Sequence, residues 1–152
     1  TEITSVLTGQ KQRYDAITLW HVIEHVPALN QEFQRITEAL KQNGTMFIAV
    51  PNHQSCDAKH YGDKWAGYDV PRHLWHFTTE SMTRFLTNHS LQLRAIVPMK
   101  LDALYVSILS EQYLANRRNP LTIFRGIMNG LQSNWDAANT QEYSSHIYIA
   151  SK

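Results

Sequence analysis

Two histidines and a glutamate follow directly after a short apolar run near the start of the sequence. In the segment YDAITLWHVIEHVP, residues 14–27, they are His21, Glu24 and His25. Ionisable side chains just beyond the carboxyl end of a buried strand indicate a ligand site in an open α/β sheet. Imidazole, with an ordinary pKa of about 6.5, also exchanges protons near neutral pH. The segment therefore predicts a site capable of acid–base chemistry.

The same letters spell H-x-x-E-H, which is a zinc-peptidase motif when it lies inside a long helix. Both histidines must then face one metal ion. Here the apolar residues 16–20 predict a buried strand that ends immediately before His21. Pro27 follows two residues after His25, and proline is not tolerated inside a helix. We therefore expect no metal at this motif and keep a zinc peptidase only as a distant third alternative.

A second group of chemically capable residues lies in a long stretch without periodicity, residues 53–77. Its segment PRHLWHF carries Arg72, His73 and His76, and Trp65 and Tyr68 precede it. A loop of this length in a compact domain is either functional or disordered, and its aromatic content favours order. The two aromatic residues form either a lid or a satellite core. The two histidines either do chemistry or hold the loop by hydrogen bonds to its backbone.

The elements that must position these residues alternate between strands and helices. An amphipathic helix over residues 28–42 ends at Asn43-Gly44, because glycine tolerates the left-handed conformation of a helix stop. It joins two buried strands, 16–20 and 45–50, in a βαβ unit. Residues 1–13 are predicted as loop or a short edge piece. Further helices are predicted over 80–88, 101–115 and 121–131, and further strands over 91–97 and 145–150. We expect helix 121–131 to pack on the sheet, with contact to a membrane or a lipid-like substrate as the alternative.

Composition excludes several classes of protein. The chain has 152 residues, a formal net charge of +1 and one cysteine, Cys56. This charge leaves no basic footprint for nucleic acid and no cationic stripe for an anionic membrane, and no apolar run is long enough for an integral membrane segment. A lone cysteine without a signal peptide is typical of a cytoplasmic protein. The chain begins without methionine in mid-domain-like sequence, so we expect a fragment.

The order of these segments resembles the class I S-adenosylmethionine-dependent methyltransferases. The likeness is to the branch whose turn reads hVlEHv and whose later loop reads PrHlxhFt, here WHVIEHV and PRHLWHFT. It covers residues 14–97, and SSHIYIASK lies where that family places an antiparallel hairpin strand. The resemblance implies a Rossmann-like α/β fold, with a mostly parallel sheet and helices on both faces. It also implies S-adenosylmethionine as cofactor and a small-molecule methyl acceptor, with oxygen favoured because of the histidines.

The resemblance also implies roles for individual residues. Those after the first strand lie along the cofactor: Leu19, Trp20, His21 and Val22. In the turn and the loop, His25 and His73 become candidate bases for a hydroxyl proton, with Glu24 orienting a ring. The candidate substrate-binding residues are Trp65, Tyr68, Arg72 and His76. Structural roles compete throughout: Leu19 and Val22 as core, Trp20 capping the sheet, Glu24 capping amides and His25 packing on the next helix.

One feature of the family is missing from the sequence. Its members begin with a glycine-rich G-x-G-x-G turn and an acidic ribose-binding residue, whereas Gly9 stands alone in LTGQ. We therefore expect a single partial domain over 1–152, with loop 53–77 over the acceptor site and a helical insertion at 101–133. Cofactor binding should be weak or absent. Strand 16–20 becomes an exposed apolar edge, which predicts a homodimer or strand swap. A non-catalytic oligomerising domain is thus the alternative function.

Overall fold

The computed structural model describes residues 9–152, so most of the loop predicted over residues 1–13 lies outside the described residues. Four strands lie in the described part of the chain: β1 Tyr14–Trp20, β2 Leu40–Pro51, β3 Gln92–Pro98 and β4 Ser145–Ser151. The α-helices are α1 Leu29–Ala39, α2 Cys56–Tyr61, α3 Thr79–Asn88, α4 Lys100–Ala115 and α5 Pro120–Thr140.

The strands form one mixed sheet in the order β1-β2-β4-β3. β1 pairs with β2 in parallel, whereas β4 is antiparallel to both of its neighbours, β2 and β3. Three of these four strands therefore run in one direction. The predicted α/β fold with a mostly parallel sheet is confirmed, and so is the antiparallel last strand. Within the described residues β1 has a partner on one side only, as expected for an edge.

The core lies between the sheet and the apolar faces of α1 and α3. Phe33 and Ile36 of α1 meet Leu19 and Ile48 of the sheet, and all four are buried. Helical spacing predicted the helices, and short, nearly continuous apolar runs predicted the buried strands. A capping box between Thr78 and Ser81 begins α3 at its predicted position.

The predicted helix stop at Asn43-Gly44 is wrong. α1 ends at Ala39, because Leu40 is already extended and pairs with Tyr14 of β1. Asn43 and Gly44 lie inside β2 instead. Strand pairing, which a local turn signal does not report, decides the boundary.

The last helix is longer than predicted and does not pack on the sheet through its apolar side. α5 continues to Thr140, and its buried side carries small residues such as Gly126, Gly130 and Ala137. These allow close packing on α4, so the large apolar residues of α5 remain exposed. None of the helices described over residues 9–152 is both long and apolar enough to cross a membrane.

Candidate functional site

A cavity of about 350 Å³ lies at the carboxyl ends of β1 and β2. Its wall comes from three parts of the chain: the strand ends, the loop that leads to PRHLWHF, and one side of α4. Because β1 and β2 are parallel, their carboxyl ends lie at the same edge of the sheet, and α4 and the loop cover this edge. The lining residues discussed below are His21, Asp69, Arg72, His73, Asp102, Tyr105 and Tyr113.

His21 lies where β1 ends, in the left-handed region with a φ of 51°. Its backbone N–H donates to the carbonyl of Ala49 on β2. Its Nδ1 lies 3.2 Å from Glu24 Oε1, and its Nε2 lies 3.3 Å from Asp102 Oδ2. Hydrogen bonds to Asp102 and then Glu24 raise the pKa of His21 to about 9. The ring is therefore an imidazolium at neutral pH and cannot serve as a base.

Glu24 connects the strand-end turn to the PRHLWHF segment. Its backbone carbonyl accepts N–H bonds from Leu74, at 2.8 Å, and from Trp75. Its side chain is fully buried, with Oε1 on His21 and with no partner for Oε2 among the described residues. Its carboxylate does not line the cavity. Glu24 thus holds His21 and the later loop in place.

His25 and His73 stack edge to face, with ring centroids 4.6 Å apart. Nδ1 of His25 donates to the Arg72 carbonyl at 3.0 Å, and Nδ1 of His73 donates to the Gly67 carbonyl at 2.9 Å. Because a carbonyl only accepts, each neutral ring carries its proton on Nδ1 and leaves Nε2 with a free lone pair. Burial lowers the pKa of His73 below 6.5. Of the three predicted catalytic residues, His73 alone lines the cavity.

The other polar residues of PRHLWHF hold the loop. Arg72 donates through Nε and Nη2 to Oδ1 of Asp69, at 3.0 and 2.6 Å. Nε2 of His76 hydrogen-bonds the Tyr68 carbonyl at 3.0 Å. Both histidines of this segment therefore form the backbone bonds that were the alternative to chemistry. Arg72 lines the cavity, whereas His76 does not.

The stretch predicted as an aperiodic loop, residues 53–77, contains the helix α2 and two 3-10 turns, and Trp65 belongs to a satellite core formed within it. Its ring is 2% exposed and packs with Ala58 and Tyr61. Its indole N–H donates to Asp57 Oδ2 at 2.8 Å, and Tyr68 stands against it edge to face. The satellite-core alternative thus describes the position of Trp65. Neither aromatic residue lines the cavity, so their substrate contacts stay a prediction.

The four predicted cofactor-binding residues occupy different environments. Leu19 is buried in the main core, and Val22 packs against it. Trp20 is 49% exposed at the end of β1, and His21 opens on the cavity. Leu19 and Val22 thus take the core positions that were the alternative to cofactor contact. Trp20 and His21 remain accessible.

The predicted site omitted the contribution of α4. Asp102, Tyr105, Leu109 and Tyr113 recur at intervals of three and four residues and line the cavity from one side of the helix. That spacing is present in the sequence. It does not report which face of α4 meets the strand ends, and so Asp102 was not recognised as a partner of His21.

The H-x-x-E-H spacing does not form a zinc-peptidase helix. Ile23–His25 is a single 3-10 turn, and His21 turns to Asp102 while His25 turns to the PRHLWHF segment. A different trio, Glu24, His25 and His73, offers ligand atoms within 4.8 Å of one another. These three are the residues that could hold a metal ion in the described part of the chain.

Solved structures with the same fold include several methyltransferases. A S-adenosylmethionine-dependent methyltransferase from Archaeoglobus fulgidus is 13% identical with a TM-score of 0.57, over 100% of this chain and 66% of that one. A putative sarcosine dimethylglycine methyltransferase from Galdieria sulphuraria is 14% identical with a TM-score of 0.54, over 93% and 54%. Phosphoethanolamine N-methyltransferase 2 from Haemonchus contortus, in complex with S-adenosyl-L-methionine, is 14% identical with a TM-score of 0.51, over 93% and 34%.

These identities show the fold alone, and the chain spans only 34 to 66% of the three neighbours' lengths. No curated protein sequence matches the chain. The family comparison is more specific, because the sequence matches the methyltransferase domain over residues 3–96, which is more than half of the chain. The matched range contains both the WHVIEHV turn and the PRHLWHF segment. The chain belongs to the methyltransferase-domain family.

Proposed function

We propose that the cavity is the acceptor site of a S-adenosylmethionine-dependent methyltransferase that methylates a hydroxyl group on a small molecule. The observation that carries this proposal is His73. It lines the cavity with Nδ1 fixed as a donor to Gly67, so Nε2 keeps its lone pair and lies 3.8 Å from Asp69 Oδ2, beyond hydrogen-bond distance. Burial keeps the ring neutral at pH 7 by lowering its pKa. A neutral imidazole beside a bound hydroxyl is a suitable general base.

The proposed reaction divides the work between two histidines. S-adenosylmethionine, when bound, would supply the methyl group to the acceptor oxygen and would leave as S-adenosylhomocysteine. His73 Nε2 would take the proton that the acceptor hydroxyl loses on methylation. His21, charged and held between Glu24 and Asp102, stays protonated and fixes the strand-end wall. Positioning by this wall is the larger contribution to such a methyl transfer.

The strand-end residues fit part of the cofactor. Trp20 presents a half-exposed ring at the end of β1, and an aromatic face attracts a sulfonium cation. Glu24 and Asp102 together outweigh the single charge of His21, so the local field favours a cation as well. The G-x-G-x-G turn that would approach the rest of the cofactor is not in the sequence. Cofactor affinity of this chain alone should therefore be weak or absent.

Calorimetric titration with S-adenosylhomocysteine tests whether this chain binds the cofactor. We expect no micromolar binding by the chain of 152 residues. Micromolar binding that Trp20→Ala abolishes would show instead that the residues present suffice for the cofactor.

Replacement of His73 tests the base. In a form of the protein that transfers methyl groups, His73→Gln should lower kcat/KM by about 10²–10⁴-fold, the usual contribution of a general base. The matched control is His76→Gln, since His76 lies in the same segment and bonds the backbone but does not line the cavity. Wild-type activity should fall in acid as His73 is protonated, at a pH below 6.5. Equal losses in both variants would contradict a base at His73.

The acceptor atom is tested with a panel of acceptor molecules. Two of the structural neighbours carry names of enzymes that act on amines, sarcosine dimethylglycine and phosphoethanolamine. Radiolabelled methyl transfer to a panel of phenols, quinols, sugars and amines separates the classes. Activity confined to amines would retain methyl transfer and refute oxygen as the acceptor.

The second candidate function is a non-catalytic domain that associates through β1. The observation in its favour is that β1 pairs only with β2 in the described residues, so its other backbone edge has no strand partner there. Such an edge invites pairing with a second copy. Sedimentation velocity should show a homodimer or strand swap, and Thr18→Pro on β1 should weaken it because proline removes a backbone donor. A monomer at high concentration would count against this candidate.

A further inference from the structure

α5 carries a continuous exposed apolar stripe. Phe124 is 61% exposed and Trp135 is 76% exposed, and between them Met128 and Leu131 continue the same side at helical spacing. α4 and α5 are consecutive helices that pack against each other as a hairpin, and α4 also carries exposed apolar residues. We define the hairpin face by six of these side chains: Leu101, Tyr105, Phe124, Met128, Leu131 and Trp135.

The opposite side of α5 is already packed, so the hairpin face cannot turn inward. A Cβ at Gly126 would come within 2.4 Å of Ile108 Cα, and one at Gly130 within 2.7 Å of the Ala103 carbonyl oxygen. The backbones of α4 and α5 thus touch through small residues. Asn134 also donates to the Lys100 carbonyl at 2.8 Å. The large apolar residues are therefore left for something outside the described fold.

The charges beside the hairpin face are basic, a local excess that the net charge of +1 for the whole chain does not indicate. Arg117 and Arg118 lie in the turn between the helices, and Arg125 lies in the first turns of α5. All three are exposed, and none forms an ion pair within residues 9–152. No acidic residue occurs between Glu111 and Asp136, and Glu111 is buried on Tyr61 and Asn129.

We propose that the hairpin face docks on the surface of an anionic lipid bilayer. An exposed helix with a broad apolar side and flanking arginines lies in the interface plane, with its apolar side in the headgroup boundary. Arginines at such a site are attracted to anionic headgroups. Tyrosine and tryptophan favour the same depth because one end of each ring system is apolar and the other polar. Tyr105 and Trp135 provide both kinds of ring.

The cavity opens beside the same surface. Tyr105 is 65% exposed on the hairpin face and also lines the cavity, and Tyr113 is 52% exposed and lines it too. A docked hairpin would place the mouth at the level of the headgroups. A membrane-resident amphiphile is then the acceptor class that this mouth would admit. This last step rests on the proposed methyl transfer, whereas docking itself does not.

Vesicle flotation without cofactor or acceptor tests docking separately from catalysis. The probe is phosphatidylcholine vesicles with and without about one third phosphatidylglycerol. We expect binding to the anionic vesicles and a blue shift of the Trp135 emission, which Trp135→Phe removes. The double variant Phe124→Ser/Leu131→Ser should lower the partition coefficient at least about tenfold. The triple variant Arg117→Gln/Arg118→Gln/Arg125→Gln should lower it about 100-fold on anionic vesicles.

Val97→Ser on β3 is the matched control, since Val97 is apolar and 41% exposed outside the hairpin. It should bind like wild type. Absence of binding to anionic vesicles, or equal binding by wild type and the double variant, would overturn the proposal. So would sedimentation that shows a second copy occupying the hairpin face, with vesicle-free dimers that the double variant dissociates. Docking without lipid-acceptor turnover would contradict only the acceptor class.

Discussion

Asp102 sets the charge of His21, and Asp102→Asn is the perturbation that tests this pairing. The variant keeps the shape of the side chain but removes the negative charge of Asp102, which weakens the first cause of the raised pKa, the hydrogen bond to Nε2 at 3.3 Å. Glu24 still accepts from Nδ1 at 3.2 Å, so the pKa should stay above 6.5. We expect it to fall from about 9 by about one pH unit, equivalent to about 1.4 kcal/mol of differential interaction.

Stability should change with pH in a defined direction. A pKa that is higher in the folded than in the unfolded chain stabilises the fold fully below the unfolded value. For His21 that value is 6.5, and the stabilisation is lost as pH rises through about 9. Because the His21 side chain is 37% exposed, solvent screening reduces the benefit to about 1 kcal/mol. Asp102→Asn should therefore be less stable than wild type near pH 6 and equal to it above about pH 10.

The assay is histidine NMR titration combined with urea unfolding at each pH. His21→Gln assigns the resonance, and Asp136→Asn is the control because Asp136 is an exposed aspartate on α5 that bonds Gln132 instead. An unchanged His21 titration in Asp102→Asn would refute the pairing. A stability difference that grew from pH 6 to pH 10 would refute the linkage.

Two further predictions concern the packing of Gly126 and Trp65. Gly126→Ala should destabilise the fold by about 2–3 kcal/mol, because its Cβ would meet backbone of α4; in thermal unfolding, the exposed Asn139→Ala on the same helix should be near wild type. Trp65→Phe should cost about 1–3 kcal/mol in urea unfolding, since buried Asp57 loses a donor at 2.8 Å. Trp75→Phe also loses a 2.8 Å bond, but at 42% exposure it should cost less, and equal costs would contradict the role of burial.

Most elements could be predicted from local pattern. The apolar run that contains Leu19 predicts β1, and the helical spacing of Phe33 and Met82 predicts α1 and α3; all three residues lie in the core. The helix boundary at Ala39 could not be predicted, because pairing of Leu40 with Tyr14 outweighs the turn signal of Asn43-Gly44. At this boundary the long-range pairing of two strands overrules the local signal.

The candidate site, too, could be predicted only in part from the sequence. His21, Arg72 and His73 are recognisable from the two motifs alone, and the structure brings all three to one cavity. Glu24, His25 and His73 also lie close together, but the motifs do not indicate that His73 alone of the three lines the cavity. This difference depends on which carbonyls hold His25 and His73, and on the burial of Glu24. Those contacts join segments that are distant in sequence.

The sequence by itself determined the family, the βαβ unit and the two motifs, because these depend on residue order and short-range spacing. The tertiary structure decided which groups the residues of the two motifs contact. It placed Asp102 on His21, which makes one histidine an imidazolium, while burial keeps His73 neutral. It also turned the small residues of α5 inward and left Phe124 and Trp135 outside. The physical reason is that charge state and exposure depend on neighbours in space, and chain order alone does not specify them.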